Sequence, residues 1–175
     1  MSFNFPSQAL QRIKLRSDLQ PGDLGYITYL HGILYAQEYG YDHRFEGYVA
    51  ATIAEFAQSF SLDKDHLWLA ELNGQIVGSI AVVGRSEKQA QIRWFLVHPA
   101  CRGVGCGRKL LREAIQFCYA RSYESIYLWT GSELTAAATL YESVGFQRTE
   151  EKMHQLWGQV IAEERYDLHL STNLV

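Results

Sequence analysis

Cysteine is scarce in this chain and follows no recognisable pattern. Three cysteines occur in 175 residues, an odd number with neither the spacing nor the neighbouring histidines of a metal site. A disulfide framework and a zinc site are therefore both disfavoured. We expect reduced thiols at Cys101, Cys106 and Cys118 and no bound metal.

The chain also lacks the long apolar runs and the positive charge of membrane and nucleic-acid-binding proteins. No stretch approaches the roughly 20 apolar residues of a spanning helix, and the N-terminal MSFNFPSQALQRIKLRSD lacks the basic-then-apolar order of a signal peptide. The formal net charge is −3 and the pI ≈ 6.1, which disfavours nucleic acid as a partner. We expect a soluble, cytoplasmic protein with neither nucleic-acid nor membrane partners.

Hydrophobic residues are plentiful by contrast. They make up 47% of the chain, against 20% charged residues, and this length suits one domain over residues 1–175. Hydrophobic periodicity predicts the order of the elements. The order is a strand (12–19), two helices (23–40, 45–60), three strands (66–73, 75–84, 89–97), a helix after residue 107, a strand (125–130), a helix (134–144) and two strands (about 146–154 and 165–170). The segment 155–164 is ambiguous.

One stretch, VHPACRGVGCGRK (97–109), places glycines at every second position between a strand and a helix. Glycine tolerates positive φ and close approach to its backbone, and the first turn of a helix presents unpaired N–H groups. Together with the nearby cations Arg102, Arg108 and Lys109, these groups predict a site for a phosphate or pyrophosphate. The alternative is that the glycines only make a sharp strand-to-helix turn.

Two common phosphate-binding motifs do not fit this stretch. The nucleoside-triphosphate loop requires Ser or Thr after GK, whereas Gly107 is followed by Arg108 and Lys109. The dinucleotide motif GxGxxG requires a third glycine where Arg108 stands, and the preceding strands form hairpins.

The loop RGVGCG (102–107) resembles the [Q/R]xxGx[G/A] loop of the GNAT superfamily of acyl-CoA-dependent N-acyltransferases. LYESVGF (140–146) resembles the second landmark of that family, and the order of elements matches over nearly the whole chain. The resemblance implies an α/β (α+β) fold with a central mixed, mostly antiparallel sheet of about six to seven strands, splayed between strands 4 and 5 and flanked by about four helices. Residues 31–50 further resemble the acetyltransferase half of proteins that join a MarR-type DNA-binding domain to a GNAT domain, although we expect no such DNA-binding half here.

The resemblance also implies residue roles and acetyl-CoA (coenzyme A) as co-substrate. The backbone of Leu96 and Val97 would pair with the pantetheine arm, and Trp94 and Trp129 would border the opening or belong to the core. The main-chain N–H groups of the loop would hold the pyrophosphate. The loop residues are Arg102, Gly103, Val104, Gly105, Cys106, Gly107, Arg108 and Lys109.

Tyr141 matches the tyrosine that protonates the departing thiolate in many members of this family, although core packing is the alternative. A phenol can stabilise a developing thiolate by hydrogen bonding. Two positions depart from the family pattern: Leu134 replaces a cofactor-contacting asparagine, and Gln91 stands where some members carry a glutamate base. The general base is therefore unassigned. The residues considered for the base or the acceptor site, or else as a solvated helix face, are His31, Tyr35, Glu38, Glu46 and His154.

The expected function is acetyl-CoA-dependent transfer of an acetyl group directly to an amine, which is a small molecule or a protein. The alternative is a non-catalytic CoA or acyl-CoA sensor that keeps the fold, since the asparagine and the glutamate are missing. The resemblance leaves a homodimer open. The carboxylates of Glu38, Asp42 and Glu46 favour a cationic acceptor, although His43 and Arg44 lie between them.

Overall fold

A seven-stranded mixed sheet forms the centre of the computed structural model, which describes residues 12–170. Its strands are β1 (Lys14–Arg16), β2 (His66–Leu72), β3 (Gln75–Gly84), β4 (Gln89–Val97), β5 (Ser125–Gly131), β6 (Gln147–Leu156) and β7 (Gln159–His169). The spatial order is β1-β2-β3-β4-β5-β7-β6. Neighbouring strands are antiparallel except β4 and β5, which run parallel.

Within residues 12–170, the α-helices that accompany the sheet are four: α1 (Asp23–Tyr39), α2 (His43–Ser59), α3 (Cys106–Ala120) and α4 (Thr135–Ser143). The first ends at Gly40, whose φ of 72° allows its N–H to reach back to the last carbonyls of the helix. The second begins at Asp42, whose side chain accepts a hydrogen bond from the N–H of Arg44 at 3.0 Å. Short local signals of this kind explain why the predicted helix bounds agree closely with the structure.

Two hydrophobic cores lie on opposite faces of the sheet. One joins α1 and α2 to the sheet and contains Ile27, Val49 and Leu69. The other joins α3 and α4 to the sheet and contains Leu110 and Tyr141. The mixed sheet, its parallel β4–β5 pair and its four helices confirm the architecture that the sequence predicts.

The last two strands differ from the sequence prediction. Residues 155–164 were ambiguous, but they form the end of β6, a tight turn and the start of β7. Trp157 and Gly158 make the turn with φ of 53° and 80°, the pair of positive values that a two-residue hairpin turn needs. Tryptophan is an uncommon residue at such a position, so the usual sequence signal for a hairpin is missing.

Three further features concern membrane spans, metal sites and cysteines. Within residues 12–170, no helix is long and apolar enough to cross a membrane, and no group of His, Cys, Asp or Glu side chains could hold a metal ion. Cys101, Cys106 and Cys118 are buried free thiols, and burial raises the pKa of Cys106 to about 11.

Candidate active site

The parallel strands β4 and β5 pair over only three residues each and then separate. The last paired residues are Gln91 and Tyr127, whereas β4 continues to Val97 and β5 to Gly131. A cleft of about 610 Å³ opens between the separated ends. This volume is in the range of small-molecule sites.

A β-bulge in β4 accompanies this separation. Ser79 pairs with Leu96 and Ala81 with Arg93, so one residue of β3 faces both Trp94 and Phe95. Trp94 has φ of 45°, and its carbonyl accepts a hydrogen bond from Ser79 Oγ at 2.6 Å. A bulge bends its strand and turns the following side chains to the other face, which directs the end of β4 away from β5.

Beyond the bulge, the backbone of Val97 faces the cleft. The N–H of His98 donates to Val77 O at 2.8 Å, and polar groups alternate sides along an antiparallel strand. The N–H and carbonyl of Val97 therefore point away from β3, whereas those of Leu96 point toward it. Val97 offers the edge that an extended ligand could pair with.

The glycine loop leads from this edge into α3. Gly103 and Gly105 have φ of 73° and 92°, and no side chain caps the helix start at Gly105. A Cβ on Gly107 would lie 3.2 Å from a Leu140 side-chain carbon, so glycine lets the helix start approach α4 closely. The amides at this end point out of the helix and can bind an anion.

The two ends of the predicted loop are engaged within the protein. The N–H of Arg102 donates to Pro99 O at 3.2 Å, and that of Lys109 to Gly105 O at 3.0 Å. Lys109 Nζ binds Ile13 O at 3.0 Å. The amides available to an anion are therefore those of residues 103–108, and Arg108 is the cation of this loop that lines the cleft without an ion-pair partner among residues 12–170.

Arg102 forms a bridge to α1, although its side chain remains 43% exposed. Its guanidinium binds both carboxylate oxygens of Glu38 at 2.6 and 2.9 Å, and its Nε donates to Val97 O at 2.9 Å. Bidentate pairs of this kind fix geometry as well as charge. The Glu38–Arg102 bridge thus joins the end of α1 to the end of β4.

Tyr141 lies at the side of the cleft, on α4. It is 5% exposed, and its ring lies about 6 Å from the rings of Phe95, Phe146 and Tyr166. Burial raises the pKa of Tyr141 well above its usual value. Its hydroxyl lines the cleft without a hydrogen bond to any residue within 12–170 and stays protonated at neutral pH.

The other side of the cleft is walled by aromatic rings. We call this group the aromatic wall: Tyr35, Tyr39, Tyr41, Phe45, Tyr48 and Trp157. Centroid distances of 4.6 Å between Tyr35 and Phe45 and 5.1 Å between Tyr41 and Trp157 show direct ring contact. Rings packed at these distances form a preorganised, largely apolar surface.

Two carboxylates face this wall. Glu133 accepts a short hydrogen bond from the Tyr41 hydroxyl, and Glu163 lies 3.1 Å from His154 Nε2. A Cβ on Gly131 would lie 2.6 Å from Glu133 Oε2, so glycine at that position leaves room for the carboxylate. Burial and both glutamates raise the pKa of Tyr41, which therefore remains a hydrogen-bond donor.

The sequence profile of the acetyltransferase (GNAT) family matches residues 29–146. The chain belongs to the acetyltransferase (GNAT) family. This confirms the superfamily that the loop and the LYESVGF segment predict. The comparison with MarR/GNAT fusion proteins stays a prediction.

Curated relatives and solved structures agree with this membership. N-acetyltransferase family 8 member 2 of Rattus norvegicus is 33% identical over 104 residues, which are 57% of this chain and 46% of the relative. N-acetylaspartate synthetase of Danio rerio is 36% identical over 85 residues, 48% of this chain and 30% of the relative. The chain spans less than half the length of these two curated relatives.

The solved structures share the GNAT fold at low identity. An acetyltransferase from Streptococcus agalactiae 2603 has a TM-score of 0.73 at 24% identity, covering 91% of this chain and 99% of that one. Spermidine N-acetyltransferase from Vibrio cholerae, in complex with CoA and spermine, has a TM-score of 0.69 at 19% identity, covering 91% and 96%. These likenesses establish the predicted fold class.

The other residues that the GNAT resemblance suggests for the site fall into two groups, those engaged in other contacts and those that line the cleft. Glu38 is held by Arg102, Glu46 packs against Gly32 of α1, and Asp42 caps α2. Gln91 accepts hydrogen bonds from Arg85 Nε at 2.8 Å and Tyr127 OH at 3.3 Å. His31, Tyr35 and Trp129 line the cleft.

Sequence reasoning missed several cleft residues of this GNAT chain. Thr130, Glu133 and Glu163 line the cleft but belong to no motif of the sequence. Of these three residues, only Thr130 could have been noticed in the sequence. It is a polar residue in the alternating row of buried positions that contains Ile126 and Leu128 of β5. Glu163 lay in the segment whose structure was ambiguous.

His31 makes stability depend on pH. It is 3% exposed, its Nδ1 donates to Ile27 O at 2.8 Å, and burial lowers its pKa to about 4. The unfolded chain binds this proton below a pH of about 6.5, whereas the folded chain binds it only near 4. The free energy of unfolding should therefore fall by about 3 kcal/mol as pH drops across this window.

The His31→Gln variant keeps a donor for the carbonyl and does not titrate. Denaturant unfolding between pH 7 and 4 should show a smaller loss of stability for this variant than for the wild type. His169→Gln, at an exposed position, serves as the control and should behave like the wild type. An equal pH dependence of wild type and His31→Gln would contradict the buried neutral imidazole.

Proposed function

We propose that this GNAT chain catalyses transfer of an acetyl group from acetyl-CoA directly to an amine. The observation that carries the proposal is the cleft between β4 and β5, which joins an uncapped, glycine-lined helix start to the largely buried side chain of Tyr141. An extended thioester with a diphosphate at one end matches this arrangement. Acetyl-CoA supplies the activated acyl group when it is bound.

The residues present suit this co-substrate. The amides of residues 103–108 would hold the diphosphate, with Arg108 adding a full positive charge. The backbone of Val97 would pair with the pantetheine arm, and its N–H is the donor for the thioester carbonyl oxygen. Arg102 contributes by fixing the carbonyl of Val97 rather than by contacting a phosphate.

Tyr141 is the proposed general acid. Its burial keeps the phenol protonated, and a phenol that donates to a departing thiolate lowers the barrier of a direct transfer. The cleft also holds the reacting groups in proximity, which supplies a large share of the acceleration in such reactions.

The acceptor side favours a positively charged amine. Among the described residues that line the cleft, Glu38 pairs with Arg102, and Arg108 lies at the loop. The remaining charged residues of the cleft are Arg93, Glu133 and Glu163. They carry one positive and two negative charges, so the net charge of the acceptor side is −1. Aromatic faces add cation–π attraction, and carboxylates add charge-assisted hydrogen bonds.

The function is tested by incubating the protein with acetyl-CoA and a panel of amines while free thiol is measured. Acceptor-dependent thiol release with an acetylated amine, identified by mass, supports the proposal. Tight CoA binding without thiol release for any acceptor would favour the non-catalytic sensor. Absence of CoA binding would overturn both.

Removing the two cleft carboxylates should weaken binding of cationic acceptors. For Glu133→Gln combined with Glu163→Gln, we expect the KM of a diamine to rise about five- to ten-fold, because charge-assisted hydrogen bonds become neutral ones. The KM of an uncharged aromatic amine should change by less than about two-fold. Glutamine keeps an acceptor for Tyr41 and His154, so the wall should stay in place.

The matched control is a charge change outside the cleft. Glu87 lies exposed in the loop between β3 and β4, and Glu87→Gln alters the net charge without touching the wall. A diamine KM that rises equally in Glu87→Gln and in the combined Glu133→Gln and Glu163→Gln variant would contradict recognition by Glu133 and Glu163.

Two further expectations from the sequence belong to this proposal. We propose that residues 1–175 act as one GNAT domain. Residues 31–50, which resemble the acetyltransferase half of MarR/GNAT fusion proteins, form the segment from α1 to α2 that carries most of the aromatic wall. If this similarity extends to function, the two kinds of protein would share the chemistry of their acceptors.

A further inference from the structure

One buried hydroxyl in the cleft has no partner. Within residues 12–170, Thr130 Oγ1 is the sole fully buried side-chain nitrogen or oxygen without a hydrogen bond. Thr130 is 8% exposed and lines the cleft. Native proteins pair almost all such groups because an unpaired buried hydroxyl is costly.

The cross-strand partner of Thr130 already forms hydrogen bonds with other residues. Thr130 pairs in register with Glu164 of β7, and cross-strand partners share a face of the sheet. Glu164 accepts hydrogen bonds from Arg148 Nη1 at 2.7 Å and from Tyr166 OH at 3.1 Å. Each carboxylate oxygen thus accepts one hydrogen bond from β6 or β7, and neither accepts one from Thr130 Oγ1.

The position of Thr130 connects it to the cofactor side of the cleft. It lies three residues beyond Tyr127, the last residue of β5 that pairs with β4. Alternation along β5 places its side chain on the same face as Leu128, in the core that contains Tyr141. Leu134, four residues later, stands where the family resemblance implies a cofactor-contacting asparagine, and its side chain cannot form a hydrogen bond.

We propose that Thr130 Oγ1 forms a hydrogen bond with an amide group of the pantetheine arm of CoA. The proposal rests on the proposed function, since it needs CoA in the cleft. The amides and the pantoyl hydroxyl are the polar groups along an otherwise apolar pantetheine tail, and a threonine hydroxyl can serve an amide as donor or acceptor. CoA binding then satisfies a group that folding leaves unpaired.

The Thr130→Val variant separates folding from binding. Valine has nearly the shape of threonine without the hydroxyl, so the variant loses an unpaired polar group in the free protein. We expect the Tm of the CoA-free protein to rise by roughly 2–4 °C, whereas the Kd for CoA should increase roughly three- to ten-fold. The two effects have opposite signs, which a general loss of packing cannot produce.

Companion variants sharpen the test. Thr130→Ser keeps the hydroxyl and should hold the Kd for CoA within about two-fold of the wild type. Thr139→Val removes a hydroxyl that is already bonded to Thr135 O, on the exposed side of α4, and should leave CoA binding unchanged. If Thr130→Val does not fold, Thr130→Ala removes the same hydroxyl and is used in its place.

The measurements are thermal unfolding without ligand and isothermal titration with CoA and with adenosine 3′,5′-bisphosphate, which lacks pantetheine. Of the two dissociation constants, only the Kd for CoA should change in Thr130→Val. An equal loss of affinity for both ligands would overturn the pantetheine contact, and an unchanged or lower Tm would show that the hydroxyl is already satisfied. An unchanged Kd for CoA in Thr130→Val overturns this inference alone, whereas a wild type that does not bind CoA overturns the proposed function.

Discussion

Replacing Gly105 by valine is expected to weaken CoA binding about 100-fold or more. Gly105 has φ of 92° at the start of α3, a conformation that a β-branched residue strongly disfavours. The loop would have to change its backbone, and the amides of residues 103–108 would no longer converge on one anion. Loss of two amide bonds to a charged ligand corresponds to a change of about this size.

The control for this variant is Gly74→Val. Gly74 has φ of 77° in the turn between β2 and β3, and no other atoms lie within 4 Å of the position of its Cβ. The substitution brings the same kind of backbone strain at a site outside the cleft. Isothermal titration should show normal CoA affinity for folded Gly74→Val, and normal affinity for Gly105→Val would contradict the proposed cradle.

Replacing Tyr141 by phenylalanine is expected to lower turnover about 100-fold, the lower end of what a general acid contributes. The Kd for CoA should remain close to that of the wild type, because the ring and its contacts with Phe95, Phe146 and Tyr166 are kept. Steady-state thiol release measures the first effect and titration with CoA the second. A full loss of CoA binding would assign Tyr141 to the core instead.

A matched hydroxyl outside the cleft completes this test. Tyr123 is 5% exposed, as Tyr141 is, and its hydroxyl donates to Lys64 O at 2.9 Å. Tyr123→Phe should lower stability but leave turnover unchanged.

Since burial raises the pKa of Tyr141, the wild-type rate should not fall through a phenol ionisation between pH 7 and the ordinary tyrosine pKa of about 10.

The parts of the fold that depend on neighbouring residues could be predicted from the sequence. The helix that ends at Gly40, the loop with Gly103 and Gly105, and the strand that ends at Val97 each carry a local signal, such as a cap, a positive φ or an apolar period. The family resemblance added the splay between β4 and β5, which no local pattern contains.

The remaining parts arise from contacts between distant segments. Glu38 and Arg102 are 64 residues apart, and the sequence assigns Arg102 to the phosphate site and Glu38 to the base or acceptor site without linking them. The bulge at Trp94 and the turn at Trp157 put tryptophan at positive φ, where tertiary packing outweighs the intrinsic preference of the residue. Thr130 became a candidate only when the burial of its oxygen and the occupied carboxylate of Glu164 were known.

The Glu38–Arg102 bridge limits how this protein could be redesigned. The helix that supplies Tyr35 and Tyr39 to the aromatic wall also supplies the anion that holds Arg102 against Val97. A transplanted α1 that changes acceptor preference must therefore keep a carboxylate at residue 38, or the strand edge at Val97, where we propose that the thioester binds, loses its support. Libraries that randomise α1 should fix that position.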